Sequence, residues 1–303
     1  MEIKRSAFSG SWYPSGAAEC ERQIQGFLGE NNGPLTGSFA GGIVPHAGWY
    51  YSGSIACNVI ASLSTEDLDP KHQDPAHQDP AHQAPVDTIV LFGAHMHKQS
   101  EPFIMTHGAV DTPFGPIEID EALTSAILSG VSLRPRSPDR FPDENTLELQ
   151  YPFIKYFFPK AQLVTCGVAP SSFAPLIGSM VVMEARKLGK KIKIIGSTDM
   201  THYGRDFGFT PQGTGKHAVD WVKTVNDRNA MDAMIRMDDA SLIRQGLDEK
   251  NMCCAGAVAA TASACKTLGV ETGIEYAYST SFDKSGAADS FVGYAGILYP
   301  LAK

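Results

Sequence analysis

At 303 residues, with 43% hydrophobic and 19% charged residues, the chain has the composition of a folded globular protein. Its formal net charge of -8 predicts no nucleic-acid-binding surface, and no apolar run approaches the roughly 20 residues of a membrane-spanning helix. Six cysteines without a Cys-x-x-Cys pair, and an N-terminus without an apolar signal core, indicate a reduced cytoplasmic protein rather than a disulfide framework.

Helices and strands alternate along the chain after an irregular arm over residues 1–16. Apolar residues at helical spacing predict a helix over 17–28. An apolar run predicts a strand over 39–44 that ends at Pro45, because proline lacks the N–H that strand pairing needs. Further strands are predicted at 87–92, 101–105, 161–167, 191–196, 274–280 and 291–299. Further helices are predicted at 52–63, 120–128, 173–188 and 257–268. Another helix follows the acidic segment 143–148 and ends at 157, and two or three lie between 214 and 249. An irregular loop is predicted at 135–142.

This order of elements predicts an α/β fold: a single domain over residues 1–303, with three α/β/α layers and a mostly parallel central sheet. One segment stands apart, a Pro/His/Gln repeat over 69–85 that carries His72, His77 and His82. A histidine tract can bind metal. A proline-punctuated segment without large apolar residues, however, cannot offset the entropy cost of ordering. We therefore expect an exposed loop insertion that folding does not require.

Polar side chains follow three of the predicted strands. His46 comes directly after the strand that ends at proline, and His95 and His97 come after the next buried strand. Asp199 and His202 follow a third strand. One histidine alone is more often a hydrogen-bonded structural group than a ligand. Because the carboxyl ends of parallel strands meet at one edge of a sheet, we expect these side chains to lie close together.

Two adjacent thiols, Cys253 and Cys254, precede the helix predicted over 257–268. A buried cysteine is usually a small hydrophobic residue. Two imidazoles and an anionic third ligand, however, form a divalent-metal site with open coordination positions. Asp199 and His202, three residues apart, suit an orienting group and a general acid or base.

Short motifs spread over nearly the whole chain match those of one known family, at residues 9–14, 44–53, 112–115, 119–120, 197–204, 251–254 and 289–295. The most specific are Pro-His-Ala-Gly-Trp-Tyr-Tyr-Ser-Gly and Ser-Thr-Asp-Met-Thr-His-Tyr-Gly. Together the motifs resemble the Memo-like family, whose bacterial members are called AmmeMemoRadiSam system protein B. The resemblance implies the fold of class III extradiol dioxygenases of the LigB type. In those enzymes a metal lies between two histidines and an acidic residue, with a further histidine as base.

Carried over to this chain, the resemblance implies that His46 and His95 are metal ligands and that Cys254 takes the third ligand position. His202 matches the base position, with Asp199 beside it. The implied cofactor is a divalent metal ion, with iron(II) as the first expectation and copper or zinc as alternatives.

The sequence departs from the family pattern in three places. His97 stays open as an alternative to His95. The segment 93–97 is either one residue shorter than the family motif or carries the motif's histidine one residue later. Cys253 stays open as an alternative to Cys254, because the two thiols are adjacent. Asn145 stands where the family has a histidine, so any help from that histidine is absent.

The resulting hypothesis is a metal-dependent oxidoreductase of unknown small-molecule substrate, with Trp49, Tyr50, Tyr203 and His97 lining its pocket. A thiolate is a softer ligand than the carboxylate of the extradiol enzymes, so activity on catechols is not implied. Two alternatives stay open: a non-catalytic protein that binds a ligand or peptide, and a zinc hydrolase. The family name also implies radical-SAM and AMMECR1-like partner proteins.

Overall fold

The computed structural model describes residues 1–64 and 86–301, so the predicted loop insertion at 69–85 lies outside the described residues. The strands of the described part are β1 (Ile3–Lys4), β2 (Phe39–Val44), β3 (Thr88–Gly93), β4 (Phe103–Met105), β5 (Ala109–Val110), β6 (Ile117–Glu118), β7 (Arg134–Arg136), β8 (Gln162–Gly167), β9 (Ile192–Ser197), β10 (His202–Gly204), β11 (Ile274–Thr280) and β12 (Ser290–Pro300). The α-helices are α1 (Ala17–Leu28), α2 (Trp49–Ser64), α3 (Glu121–Gly130), α4 (Asn145–Glu148), α5 (Tyr151–Phe157), α6 (Ala174–Lys187), α7 (Lys216–Trp221), α8 (Asp227–Arg236), α9 (Asp239–Arg244), α10 (Ala255–Leu268) and α11 (Ser281–Ser285). A π-helical turn, Val222–Asn226, joins α7 to α8.

Nine strands form one sheet in the order β10-β12-β2-β9-β3-β8-β4-β7, with β11 paired to β12. The four central strands β2, β9, β3 and β8 are parallel, whereas β12 and β4 flank them in antiparallel pairing. A second, small sheet has the order β1-β5-β6. Every residue of β2 and β3 is buried, as expected for strands covered on both faces.

Helices cover both faces of the large sheet. Val90 and Phe92 of β3 belong to one apolar cluster, with α3, α6, α8, α9 and α10. Ile89 and Leu91 of the same strand belong to the other, with α1, α2 and α5. This alternation follows from the two-residue period of a strand. The prediction of an α/β/α fold with a mostly parallel centre is thereby confirmed. Within residues 1–64 and 86–301, no helix has the length and apolar character needed to cross a membrane.

Helix α10 packs unusually close to its neighbours because its sequence is rich in small residues. A Cβ on Gly196 of β9 would lie 2.4 Å from Thr261 Oγ1 of α10. A Cβ on Gly178 of α6 would lie 1.9 Å from the carbonyl oxygen of Ala260. This packing fixes the N-terminus of α10, and with it the preceding Cys254, beside the carboxyl end of β9.

Several element boundaries differ from the sequence predictions. The helix predicted at 52–63 begins earlier, at Trp49. The single helix predicted after the acidic segment is divided into α4 and α5, with Pro152 in the first turn of the second, where proline is tolerated. Strand β7 overlaps the predicted irregular loop, and its Pro135 is accommodated because β7 is an edge strand.

Candidate metal centre

Three neighbouring parallel strands end at the same edge of the sheet, and a chemically active side chain follows each of them. His46, Asp199 and His95 stand two positions beyond the last residues of β2, β9 and β3, respectively. The His46 and His95 rings meet edge to face with their centroids 5.1 Å apart. Ala94, just before His95, adopts a left-handed conformation with φ of 77°, which is uncommon for a residue with a side chain. Its N–H donates to Thr146 Oγ1 over 2.8 Å, which stabilises this turn.

The cysteine loop is joined to the end of β9 by a ladder of hydrogen bonds. The Cys253 N–H donates to the Asp199 carbonyl over 3.2 Å, and the Asp199 N–H donates to Cys253 Sγ over 3.3 Å. The Cys254 N–H donates to Thr198 Oγ1 over 3.1 Å. These contacts bring Cys253 Sγ to 3.3 Å from His46 Nε2.

Four side chains meet in a group that could hold a metal ion. One ligand atom from each of His46, His95, Cys253 and Cys254 lies within 4.8 Å of every other. Imidazole nitrogen and thiolate sulfur are the donors that zinc, iron and copper accept. The donor set therefore fits a transition-metal ion.

The two thiols of this group have different roles. Burial disfavours the Cys253 thiolate, but the hydrogen bond from Cys254 together with His46 and His95 holds the pKa of Cys253 well below its usual range. Burial and the adjacent Cys253 both raise the pKa of Cys254, which favours its neutral thiol. The two sulfurs are 3.7 Å apart. Sequence reasoning placed Cys254 in the third ligand position, whereas these contacts favour Cys253.

His95 is the most exposed residue of the four-residue group, with 44% of its side chain exposed. Hydrogen bonds to Cys253 and to Glu144 raise the pKa of His95 to about 10, although burial acts against them. Its Nδ1 lies 3.4 Å from Glu144 Oε2. These opposite pKa shifts of Cys253 and His95 favour a thiolate beside an imidazolium when no metal is bound. Because a ligand histidine must be neutral, metal binding would release that proton.

His46 is buried and held from several directions. Its Nδ1 lies 3.0 Å from Ser197 Oγ, which leaves Nε2 directed at Cys253. The backbone N–H of His46 donates to Asp199 Oδ1 over 2.7 Å, and Asn145 Nδ2 donates to the backbone carbonyl of His46 over 3.3 Å. Burial opposes protonation of the ring, but Asp199 and Cys253 raise the pKa of His46 above its usual value.

His202 lies outside the four-residue group. Its Nδ1 is 3.2 Å from the Met200 carbonyl, and its ring meets Phe207 edge to face with centroids 5.0 Å apart. Burial raises the pKa of Asp199, whereas the charges of His46 and His202 act in the opposite direction. His202 thus interacts with Asp199 through charge.

A buried carboxylate, Asp227, supports the loop between Asp199 and His202. It accepts the Thr201 N–H over 3.0 Å, the Thr201 hydroxyl and the Tyr278 hydroxyl, the last over 2.7 Å. Burial raises the pKa of Asp227 from its usual 3.8 to about 6, against the effect of these hydrogen bonds.

Two of the four predicted pocket residues are core residues instead. Trp49 is buried and stacks on Phe153 with ring centroids 4.2 Å apart. Tyr203 is buried and stacks on Phe291, and its hydroxyl donates to the Gly213 carbonyl. An aromatic residue next to a site motif can fill the core beneath it, and both residues do so; that they line a pocket stays a prediction.

The other two pocket candidates lie at the surface. Tyr50 is 68% exposed, with Lys284 Nζ 5.2 Å from its ring centroid. His97 is exposed and outside the metal-binding group, and its N–H donates to Ser100 Oγ. The structure therefore brings His95 rather than His97 toward His46.

Sequence reasoning missed the contacts of two acidic residues, one at the site and one at the N-terminal arm. Glu144 contacts His95, but an acid just before a helix is ordinarily explained by the helix dipole, so this contact has no signal in the sequence. Glu148 is buried and accepts the N–H groups of Ala7 and Phe8 and the hydroxyl of Tyr13. It therefore fixes the N-terminal arm against the fold.

A family model described as "Memo-like protein" matches residues 4–298. The chain belongs to the Memo-like family. Similar curated relatives include a MEMO1 family protein of Methanothermobacter thermautotrophicus, 30% identical over 97% of this chain and 99% of its own length. Another is a MEMO1 family protein of Pyrobaculum aerophilum, 27% identical over 99% of both chains. A MEMO1 family protein of Methanosarcina acetivorans is 27% identical over 98% of this Memo-like chain and 99% of its own length.

Proposed function

We propose that this Memo-like protein binds one divalent transition-metal ion through His46, His95 and Cys253, and that it is a metal-dependent oxidoreductase acting on a small molecule. The observation that carries the proposal is the position of the Cys253 sulfur at the carboxyl edge of the sheet, 3.3 Å from His46 Nε2 and within 4.8 Å of a ring nitrogen of His95. Iron(II) is the first candidate, with copper and zinc as alternatives.

Three ligands rather than four are proposed because burial and the adjacent Cys253 raise the pKa of Cys254, which disfavours its thiolate. Two histidines and two thiolates would form the closed tetrahedral site typical of structural zinc. Three ligands leave a position open for a small molecule, on the exposed side of His95. When bound, iron(II) would supply redox chemistry at that position.

The remaining polar residues have supporting roles in this proposal. Asp199 holds His46 through the backbone N–H of that residue and holds Cys253 through backbone contacts. His202 is half-buried, and because its Nδ1 faces a carbonyl, Nε2 is left to move a proton at the substrate. A cytoplasmic location stays a prediction from the cysteine content and the N-terminal sequence, and radical-SAM and AMMECR1-like partners stay predictions from the family resemblance.

The test is metal analysis of protein purified without oxygen after growth with iron, copper or zinc. We expect stoichiometric iron in the wild type and its loss in His46→Ala, His95→Ala and Cys253→Ser. His97→Ala is the matched control, because His97 lies in the same loop but outside the group. Circular dichroism checks that each variant folds.

Four outcomes separate the hypotheses. Bound iron together with oxygen uptake supports the oxidoreductase. Retained zinc with hydrolytic turnover favours the zinc hydrolase. A wild-type protein that holds no metal under any supplement refutes the metal site and favours a non-catalytic binding protein. If Cys254→Ser loses the metal and Cys253→Ser keeps it, the third metal ligand is Cys254 and not Cys253.

A further inference from the structure

Cys253 and Cys254 are set apart from the other cysteines of the chain. All six cysteines are free, and Cys253 alone among them is not fully buried. The Cys253 and Cys254 sulfurs are 3.7 Å apart, and both belong to the candidate metal-binding group, in which His95 is exposed, Cys253 is partly buried and Cys254 is buried. A small oxidant that reaches the centre would therefore meet Cys253 first.

We propose that Cys253 and Cys254 form a reversible disulfide when the protein meets a peroxide, and that this disulfide switches off metal binding. The second part rests on the proposed function, because it takes Cys253 as a metal ligand. The first part requires only two neighbouring thiols and a peroxide.

The chemistry balances in two steps. The Cys253 sulfur attacks one peroxide oxygen, so an S–O bond forms, the O–O bond breaks and the second oxygen leaves as water, with a sulfenic acid on Cys253. The Cys254 sulfur then attacks Cys253, so an S–S bond forms, the S–O bond breaks and a second water leaves with the Cys254 proton. The two thiols supply the two electrons that reduce the peroxide.

Such a disulfide would be easily reduced. Adjacent residues have Cα atoms about 3.8 Å apart, less than the roughly 4.4–6.8 Å that disulfides favour. Strained disulfides have more oxidising potentials and are typically regulatory rather than structural. Because the two sulfurs are 3.7 Å apart, Cys254 captures the oxidised Cys253 before further oxidation. Because the disulfide is strained, a dithiol restores both thiols.

Metal binding and the disulfide exclude each other in this proposal. A sulfur in a disulfide carries no negative charge to bind a metal, and a metal-bound sulfur is shielded from peroxide. Loading the centre with zinc, which is not redox-active, should therefore slow formation of the disulfide.

The experiment treats purified, metal-free full-length protein with hydrogen peroxide and then maps the tryptic peptide 251–266, which holds Cys253, Cys254 and Cys265. We expect this peptide to lose two hydrogens in mass and the protein to fall from six free thiols to four, with full recovery in dithiothreitol. In Cys254→Ser the peptide should instead gain two oxygens, and dithiothreitol should not reverse that gain. The variant Cys265→Ser, which lacks a buried cysteine of the same peptide, should still lose two thiols.

Three results would overturn the proposal: irreversible oxidation of the wild type as fast as that of Cys254→Ser, a disulfide between two molecules, or six thiols that resist peroxide. The zinc arm separates this proposal from the proposed function. Disulfide formation at equal rates with and without zinc would refute coupling to a metal, although the disulfide itself would stand.

Discussion

Replacement of Asp227 by asparagine should change how stability depends on pH. In an unfolded chain this carboxyl ionises near pH 3.8, whereas in the folded protein burial raises its pKa to about 6. Below pH 3.8 both states are protonated and the carboxyl adds no pH dependence. Between these values the unfolded state loses its proton first, so the contribution of Asp227 to stability falls as pH rises.

The size of the effect follows from the pKa difference. One pKa unit corresponds to about 1.4 kcal/mol, so the full shift removes about 3 kcal/mol above pH 6. About 2 kcal/mol of this falls between pH 4.5 and 7.5. Asparagine keeps an oxygen for Thr201 and presents its amide to the Tyr278 oxygen, so the replacement mainly removes the charge.

The assay is urea unfolding followed by fluorescence of the three tryptophans, for wild type and Asp227→Asn at pH 4.5 and 7.5. The free energy of unfolding of the variant minus that of the wild type should be about 2 kcal/mol larger at the higher pH. Asp232→Asn is the control, because this partly exposed residue of the same helix pairs with Arg228 and should cost less than about 1 kcal/mol. Equal differences at both pH values for Asp227→Asn would refute the reasoning.

Three further predictions test packing and support of the site. Gly178→Ala should cost about 3 kcal/mol in urea unfolding, because its Cβ would meet a backbone carbonyl of α10, whereas Gly26→Ala, with open space around its Cβ, should gain about 0.5–1 kcal/mol. Glu144→Gln should weaken metal binding about 10-fold in competition titrations, because Glu144 orients His95, and unchanged affinity would exclude that role. Glu148→Ala should speed limited proteolysis of the N-terminal arm, since it removes a carboxylate that accepts three hydrogen bonds, and wild-type cleavage rates would contradict this.

The sequence was a good guide to the central sheet and to the edge that carries the site. Buried parallel strands need apolar residues on both faces, so β2, β3 and β9 were visible as apolar runs. The residues that follow them were visible as breaks in those runs. The topology then places His46, Asp199 and His95 together, because neighbouring parallel strands end at the same edge.

The side-chain directions could not be obtained in this way. Whether Cys253 or Cys254 faces the histidines depends on how α10 packs and on hydrogen bonds to Asp199, which are contacts between distant segments. Hydrophobicity likewise cannot tell a pocket-lining aromatic from a core one, and Trp49 proved to be core. The left-handed Ala94 carries no sequence signal, because such a turn usually has glycine.

The candidate ligands come from widely separated parts of the chain, and His46 and Cys253 are 207 positions apart. Zinc fingers gather their ligands from one short segment and fold only around the ion. Here no short segment holds the whole set, so a metal would find its full set of ligands only after the sheet and α10 have assembled. Folding would thus precede metal binding. A protein that stays metal-free in a cell would still be folded and able to bind metal. A low metal content would then report on metal supply or on oxidation of the two thiols, rather than on misfolding.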